Sequence, residues 1–179
     1  MKKWFIVIFI SIAIGWTIIH NFLLDKKGDI NSESNIPIGT EIGNIAPNFL
    51  LETTNGQEVH LTDYRGKKVI LNFWASWCGP CKIEMPDMEK FYHDTKDKGI
   101  EIVAVNATAT EKDPSNVKQF LKENKYTFPV LLDQKGQAGA AYQIISIPTS
   151  FIIDTKGVIQ YKHVGPMTYE KMKEYANNL

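Results

Sequence analysis

The chain has 179 residues, 44% of them hydrophobic, enough for one sizeable core and too few for two ordinary domains. Twenty Lys and Arg balance twenty Asp and Glu, giving a formal net charge of zero. With no basic excess and no long block of like charge, the composition argues against nucleic acid as a partner.

Residues 1–25 read as an N-terminal transmembrane signal-anchor. Met1-Lys2-Lys3 precedes Trp4 to Ile19, apolar except at Ser11, Gly15 and Thr17. With Phe22-Leu23-Leu24 the stretch reaches roughly the 20 residues that a bilayer span needs. Lys2 and Lys3 favour an inside N-terminus, an asymmetry that Lys26 and Lys27 weaken. A cleaved signal peptide is the competing reading, but no small-x-small site follows the apolar run, and no cysteine there could carry a lipid. Both readings place the bulk of the chain outside the cytoplasm, on a single-pass anchor in the first case. Residues 26–41 are polar and aperiodic, a tether. The folded domain is expected over residues 42–179.

Within it, segments 45–51 and 58–61 suggest two short strands around the Asn55-Gly56 turn. Residues 62–67 form a turn or short helix ahead of Val69-Ile70-Leu71-Asn72-Phe73-Trp74, a near-continuous apolar run suited to a buried central strand. A helix is expected from Lys82 to about Lys98, with Ile83, Met85, Met88, Phe91 and Tyr92 near helical spacing and Pro86 inside it. A strand over 100–106 and a helix to about Asn124, capped by Asp113 with Pro114 in its first turn, come next. They are followed by a strand over 130–133 and a short helix over 138–142. Strands at 147–154 and 158–164 make a closing hairpin around Lys156-Gly157, and Thr168 caps a last amphipathic helix. Strands alternating with helices, closed by a hairpin, give an α/β domain with a mixed sheet flanked by helices.

The chemistry concentrates at Trp77-Cys78-Gly79-Pro80-Cys81, which holds the only two cysteines in the chain. A Cys-x-x-Cys that ends a buried strand and opens a helix is a redox pattern, because the helix start stabilises a thiolate. Cys78 is positioned to attack a substrate disulfide. Cys81, one turn into the helix, is positioned to attack the mixed disulfide and release the product. Half of a zinc site would need two further ligands, and His20, His60, His93 and His163 are scattered with no His-x-x-x-His pair. A purely structural disulfide across so short a loop would constrain little of the unfolded chain. Glu84 shares a helix face with Cys81 and is either its proton partner or an ordinary surface acid near a helix start. Trp77 either shields the disulfide and offers an apolar contact, or simply packs.

Phe73-Trp74-Ala75-Ser76-Trp77-Cys78-Gly79-Pro80-Cys81-Lys82 resembles a thioredoxin-fold active site, and Ile147-Pro148-Thr149 resembles that fold's cis-proline loop. More narrowly, the chain resembles the ResA/TlpA-like membrane-anchored thiol-disulfide oxidoreductases. It shares their N-terminal span, the Ala46-Pro47-Asn48-Phe49 opening with its β-hairpin, and a Cys-Lys-x-Glu-x-Pro pattern at Cys81, Lys82, Glu84 and Pro86. It also shares the extra strand-helix insert between Ile100 and Asn124. The resemblance implies a thioredoxin-like fold, a cis Pro148, Ile147 and Pro148 pairing with substrate backbone, and Glu84 handling a proton. It implies no cofactor and no metal. The implied substrates are protein disulfides outside the cytoplasm, for example those of apocytochrome c or other exported proteins, and the family's tasks include supporting spore-envelope maturation. Electrons would come from a transmembrane thiol carrier of the CcdA/DsbD type. Two positions depart from related patterns. Asn72 stands where cytoplasmic thioredoxins carry a buried aspartate, and Gly79 where cytochrome-maturation members often carry a glutamate.

Three rival readings share parts of this pattern. A peroxide site requires Pro-x-x-x-Thr/Ser-x-x-Cys, and Leu71 and Ala75 occupy those positions ahead of Cys78. A copper-delivering assembly factor uses Cys-x-x-x-Cys with a later histidine, for which His163 could be offered. A disulfide oxidase or isomerase keeps the same residues and reverses the direction.

Overall fold

Short apolar runs bounded by turns give this chain its strands, and the longer periodic stretches between them give its helices. The computed structural model describes residues 36–179. In chain order these contain β1 (Leu50–Thr53), β2 (Glu58–His60), a 3-10 turn (Leu61–Tyr64), β3 (Lys68–Trp74), α1 (Gly79–Thr95), β4 (Ile100–Asn106) and α2 (Ser115–Asn124). Then follow β5 (Val130–Leu132), α3 (Gln137–Ala141), β6 (Thr149–Ile153), β7 (Ile159–Val164) and α4 (Tyr169–Asn177). The seven strands form one sheet in the order β2-β1-β5-β4-β3-β6-β7. β3, β4 and β5 run parallel and the other pairings are antiparallel, so the sheet is mixed, as expected.

Each element expected within residues 42–179 is present, with shifts at its ends. The N-terminal hairpin turns at Gly56, whose φ of +85° suits a residue without a Cβ, and β1 continues into the sheet by pairing with β5. Asp113 Oδ1 accepts the Ser115 N–H at 2.8 Å, and Thr168 Oγ1 accepts the Lys171 N–H at 3.3 Å, so both predicted caps hold their helices. Pro86 leaves α1 unbroken from Gly79 to Thr95. The strand expected from residue 147 begins at Thr149, after a cis Ile147–Pro148 peptide.

β3 is the axis of the core. Its uniform apolar run hides an alternation, because both faces of the sheet are covered. Ile70 and Trp74 face the cluster containing Met85, Met88 and Phe91 of α1 with Met172 and Ala176 of α4. Val69, Leu71 and Phe73 face the other cluster, with Val103, Val105, Phe151 and Tyr142. Asn72 falls between Ile70 and Trp74 and so points to the α1 side, where it is fully buried.

The compact unit starts at Pro37, ahead of the expected boundary at residue 42. Ile45 N–H donates to the Pro37 carbonyl at 2.9 Å, Ile45 also bridges to Val158, and Thr40 is buried. This pairing runs through the backbone, which composition does not report. The expected span over residues 1–25, and the expected tether up to residue 35, lie outside the described residues. Among the described residues, no helix is long and apolar enough to cross a membrane.

Tyr142 is enclosed among Phe49, Phe73 and Phe151, and its hydroxyl donates to the Pro47 carbonyl at 2.8 Å. Tyr142→Phe should cost about 1 kcal/mol in urea unfolding, the worth of one hydrogen bond. Tyr142→Ala should cost about 3 kcal/mol or more, because it also opens a cavity. Equal losses from the two variants would show that the ring contributes nothing beyond its hydroxyl.

Candidate active site

The C-terminal end of β3 delivers the chain into α1 through Ala75-Ser76-Trp77. Cys78 is the N-cap of α1, and Pro80 lies in its first turn, where a missing N–H costs nothing. Cys78 and Cys81 are joined in a disulfide, with Cα atoms 5.3 Å apart. The Cys81 N–H donates to Cys78 Sγ at 3.2 Å, so a helix-start amide already points at the sulfur that would carry charge after reduction. Both cysteines are recessed, Cys78 4% exposed and Cys81 fully buried.

Opposite them sits the loop that opens β6. Cys78 Sγ lies 3.7 Å from the Ile147 carbonyl oxygen. Pro148, in its cis peptide, is buried beside it. Trp77 is 56% exposed, so it is not a core packing residue. It lines a cavity of about 490 Å³ together with Phe73, Ala107, Ile144, Ile145 and Ile147. Ile145 is 99% exposed at this site. The structure thus brings Trp77, Cys78 and Ile147 to one mouth. His163 is elsewhere, on β7, with Nδ1 3.3 Å from the Tyr175 hydroxyl.

Glu84 is not a surface acid. It is 1% exposed, on the buried face of α1 one turn after Cys81. Burial pushes its carboxyl up from 4.5 to about 7. Two donors act against that shift by favouring the carboxylate: the Met167 N–H to Oε2 at 2.9 Å and Asn72 Nδ2 to Oε1 at 2.8 Å. A carboxyl poised near neutrality one turn from a buried cysteine has the acid strength that proton exchange with a thiol requires.

Sequence reasoning missed a second carboxylate. Glu111 lies after the 3-10 turn that follows β4, and its Oε1 accepts the Ser76 N–H at 2.7 Å while Oε2 accepts the Ser76 hydroxyl at 2.6 Å. Asn106 Nδ2 also donates to Oε1, at 3.0 Å. Glu111 therefore fixes the segment that carries Trp77 and Cys78. No local spacing could have announced it, because the partners are 35 residues apart.

The profile of the AhpC/TSA family matches residues 42–162. The thioredoxin-like protein YneN of Bacillus subtilis is 41% identical over 174 residues, covering 97% of this chain and 96% of that protein. The thiol-disulfide oxidoreductase ResA of Bacillus cereus is 37% identical over 174 residues, covering 97% and 92%. Among solved structures, a putative thiol:disulfide interchange protein DsbE from Chlorobium tepidum superposes with a TM-score of 0.71 at 35% identity, covering 78% of this chain and 98% of that one.

Because the Glu84 carboxyl titrates near 7 when folded and near 4.5 when unfolded, the unfolded state releases its proton first as pH rises. Its contribution is fully present below about pH 4.5 and is lost as pH rises to about 7. Denaturant unfolding across this range should show wild type losing about 3 kcal/mol relative to Glu84→Gln. A difference independent of pH would mean that Glu84 titrates as a solvated acid.

Proposed function

The chain belongs to the AhpC/TSA family as one of its thioredoxin-like thiol-disulfide oxidoreductases, and on that premise we propose that it reduces disulfides of exported proteins outside the cytoplasm. The observation that carries the reading is the Cys78–Cys81 pair at the start of α1, with Cys78 facing the Ile147–Pro148 loop and a buried carboxyl one turn behind Cys81. The direction, towards reduction, rests on the resemblance to ResA-like enzymes.

In the reduced enzyme the Cys78 thiolate attacks one sulfur of the substrate disulfide. A Cys78–substrate bond forms and the substrate's second sulfur leaves as a thiolate, which takes up a proton. Glu84 accepts the proton of Cys81 as that thiol attacks Cys78 Sγ. The Cys78–Cys81 disulfide closes and the substrate's remaining thiolate is released, so two electrons have passed to the substrate. The extended backbone next to the substrate cysteine pairs at Ile147 and Pro148, and an apolar substrate side chain rests against Trp77. A transmembrane thiol carrier of the CcdA/DsbD type returns two electrons to the disulfide. Residues 1–25 hold the enzyme at the membrane, and the polar stretch after them spaces the domain from it. Apocytochrome c, oxidised at its Cys-x-x-Cys-His segment, is the substrate proposed first.

Support against peroxide reduction comes from Leu71 and Ala75, which stand where that chemistry needs Pro and Thr or Ser. Leu71 and Ala75 are moreover sealed in the core. His163 serves a copper site poorly, since it belongs to β7 and approaches Tyr175.

The midpoint potential of the full chain in detergent, equilibrated against dithiothreitol or glutathione buffers, tests the direction. A value of about −270 mV or lower is expected, and one of about −120 to −180 mV would instead make the protein an oxidase or isomerase. In single turnovers with an oxidised Cys-x-x-Cys-His peptide, Cys78→Ser should abolish reaction. Cys81→Ser should stop at a peptide adduct visible by mass spectrometry. Glu84→Gln should slow release from that adduct about a hundredfold. Wild-type release by the Glu84→Gln variant would remove Glu84 from the mechanism.

A further inference from the structure

Asn72 sits in the middle of β3, paired in register with Ser150 of β6. Both side chains are fully buried. The two hydrogens of Asn72 Nδ2 are in use, one donated to Glu84 Oε1 at 2.8 Å and the other to Ser150 Oγ at 2.9 Å. Its Oδ1 is buried with no hydrogen-bond partner among the described residues. An amide that leaves its acceptor unpaired in order to spend both donors is being oriented by an acceptor stronger than itself, and the Glu84 carboxylate is that acceptor.

Protonation of Glu84 changes what this amide must do. The Met167 N–H is fixed by the backbone and continues to occupy Oε2, so the acidic hydrogen forms at Oε1. There the new O–H needs an acceptor, and the Asn72 N–H that faces Oε1 at 2.8 Å does not offer one. A half-turn of the Asn72 side chain about its Cβ–Cγ bond exchanges Nδ2 and Oδ1 without moving the strand. Oδ1 then has two lone pairs for two donors, the Glu84 O–H and the Ser150 O–H. Nδ2 takes the place where Oδ1 had no partner. The charged arrangement leaves one buried acceptor unpaired and the neutral arrangement leaves two buried donors unpaired, so Asn72 biases Glu84 towards the carboxylate while still accommodating the acid.

We propose that Asn72 is the positioning residue for Glu84, its amide turning over as the carboxyl gains or loses a proton. The cytoplasmic thioredoxin pattern, with aspartate here, would place a second acid against Glu84. Asparagine supplies a donor or an acceptor on demand and leaves a single titrating group. Around the carboxyl, β3 contributes Asn72, β6 contributes Ser150 behind it, and the loop before α4 contributes the Met167 amide. On α1 itself Cys81 lies one turn before, and Asp87, nearly one turn after, accepts the Tyr169 N–H at 3.0 Å. Among the described residues no charged side chain shifts Glu84; burial raises its carboxyl and these two hydrogen bonds lower it. The inference rests on the proposed proton exchange between Glu84 and Cys81 only for its consequence in turnover.

The test is a carbon-13 carboxyl NMR titration of Glu84 in the full chain, disulfide intact, in detergent micelles. In wild type the Asn72 side-chain amide resonances should move with the same midpoint as the Glu84 carboxyl. Asn72→Leu, similar in size and without the donor, should raise the midpoint by about one to two pH units. Asn72→Asp, which keeps the shape if the leucine variant does not fold, should give a carboxyl pair sharing one proton, with one of the two titrating above the wild-type midpoint. Amide resonances that ignore the titration, or a midpoint in Asn72→Leu within about 0.3 units of wild type, would overturn the coupling. These readings are taken on Glu84 in the oxidised protein, so they stand or fall separately from the turnover test of Glu84→Gln.

Discussion

A carboxyl group enclosed between a helix and a sheet must be met by donors, and here they arrive from separate parts of the chain. Glu84 of α1 is held by Asn72 of β3 and by the backbone of Met167, which leads into α4. These bonds tie the helix carrying both cysteines to the central strand and to the helix that packs beside it. Met85 and Met88 of α1 lie in the apolar cluster that also takes Met172 and Ala176 of α4. The apolar contacts seat α1 against the sheet without preference for register, because burial has no direction. The hydrogen bonds to Glu84 supply the direction.

The same enclosure sets the acid–base character of the site. Burial raises the Glu84 carboxyl and the two donors lower it, and their balance leaves it at about 7. At the other end of the first helical turn, the Cys81 N–H faces Cys78 Sγ. The two ends of that turn therefore divide the labour. The helix start favours negative charge on the outer sulfur, and the buried acid lies one turn beyond the inner one. Glu111, through Ser76, keeps the approach to this turn fixed from outside the core.

Much of this was legible in the sequence, for reasons that differ from residue to residue. The Cys-x-x-Cys pair could be placed because strand and helix patterns meet there, with β3 ending at Trp74 and α1 starting at Gly79. The caps at Asp113 and Thr168 are local chemistry, readable from adjacent residues. The burial of Glu84 was not readable, since the spacing that sets it on the face of Cys81 equally suits a solvated acid. Which face of β3 holds Asn72 becomes clear only once both faces are known to be covered, because a continuous apolar run conceals its own parity. Glu111 and the backbone pairing of Pro37 with Ile45 depend on contacts that no periodicity records. The cis Ile147–Pro148 peptide came from family likeness and not from the residues.

The recessed disulfide has a consequence for what can reach it. With Cys78 4% exposed and Cys81 sealed, a partner sulfur must travel inward past Trp77 and Ile147 to make contact. A cystine on an extended stretch of chain makes that approach more easily than one fixed inside a packed domain, which brings its neighbours with it to the rim. Accessibility thus acts as a filter ahead of any side-chain preference.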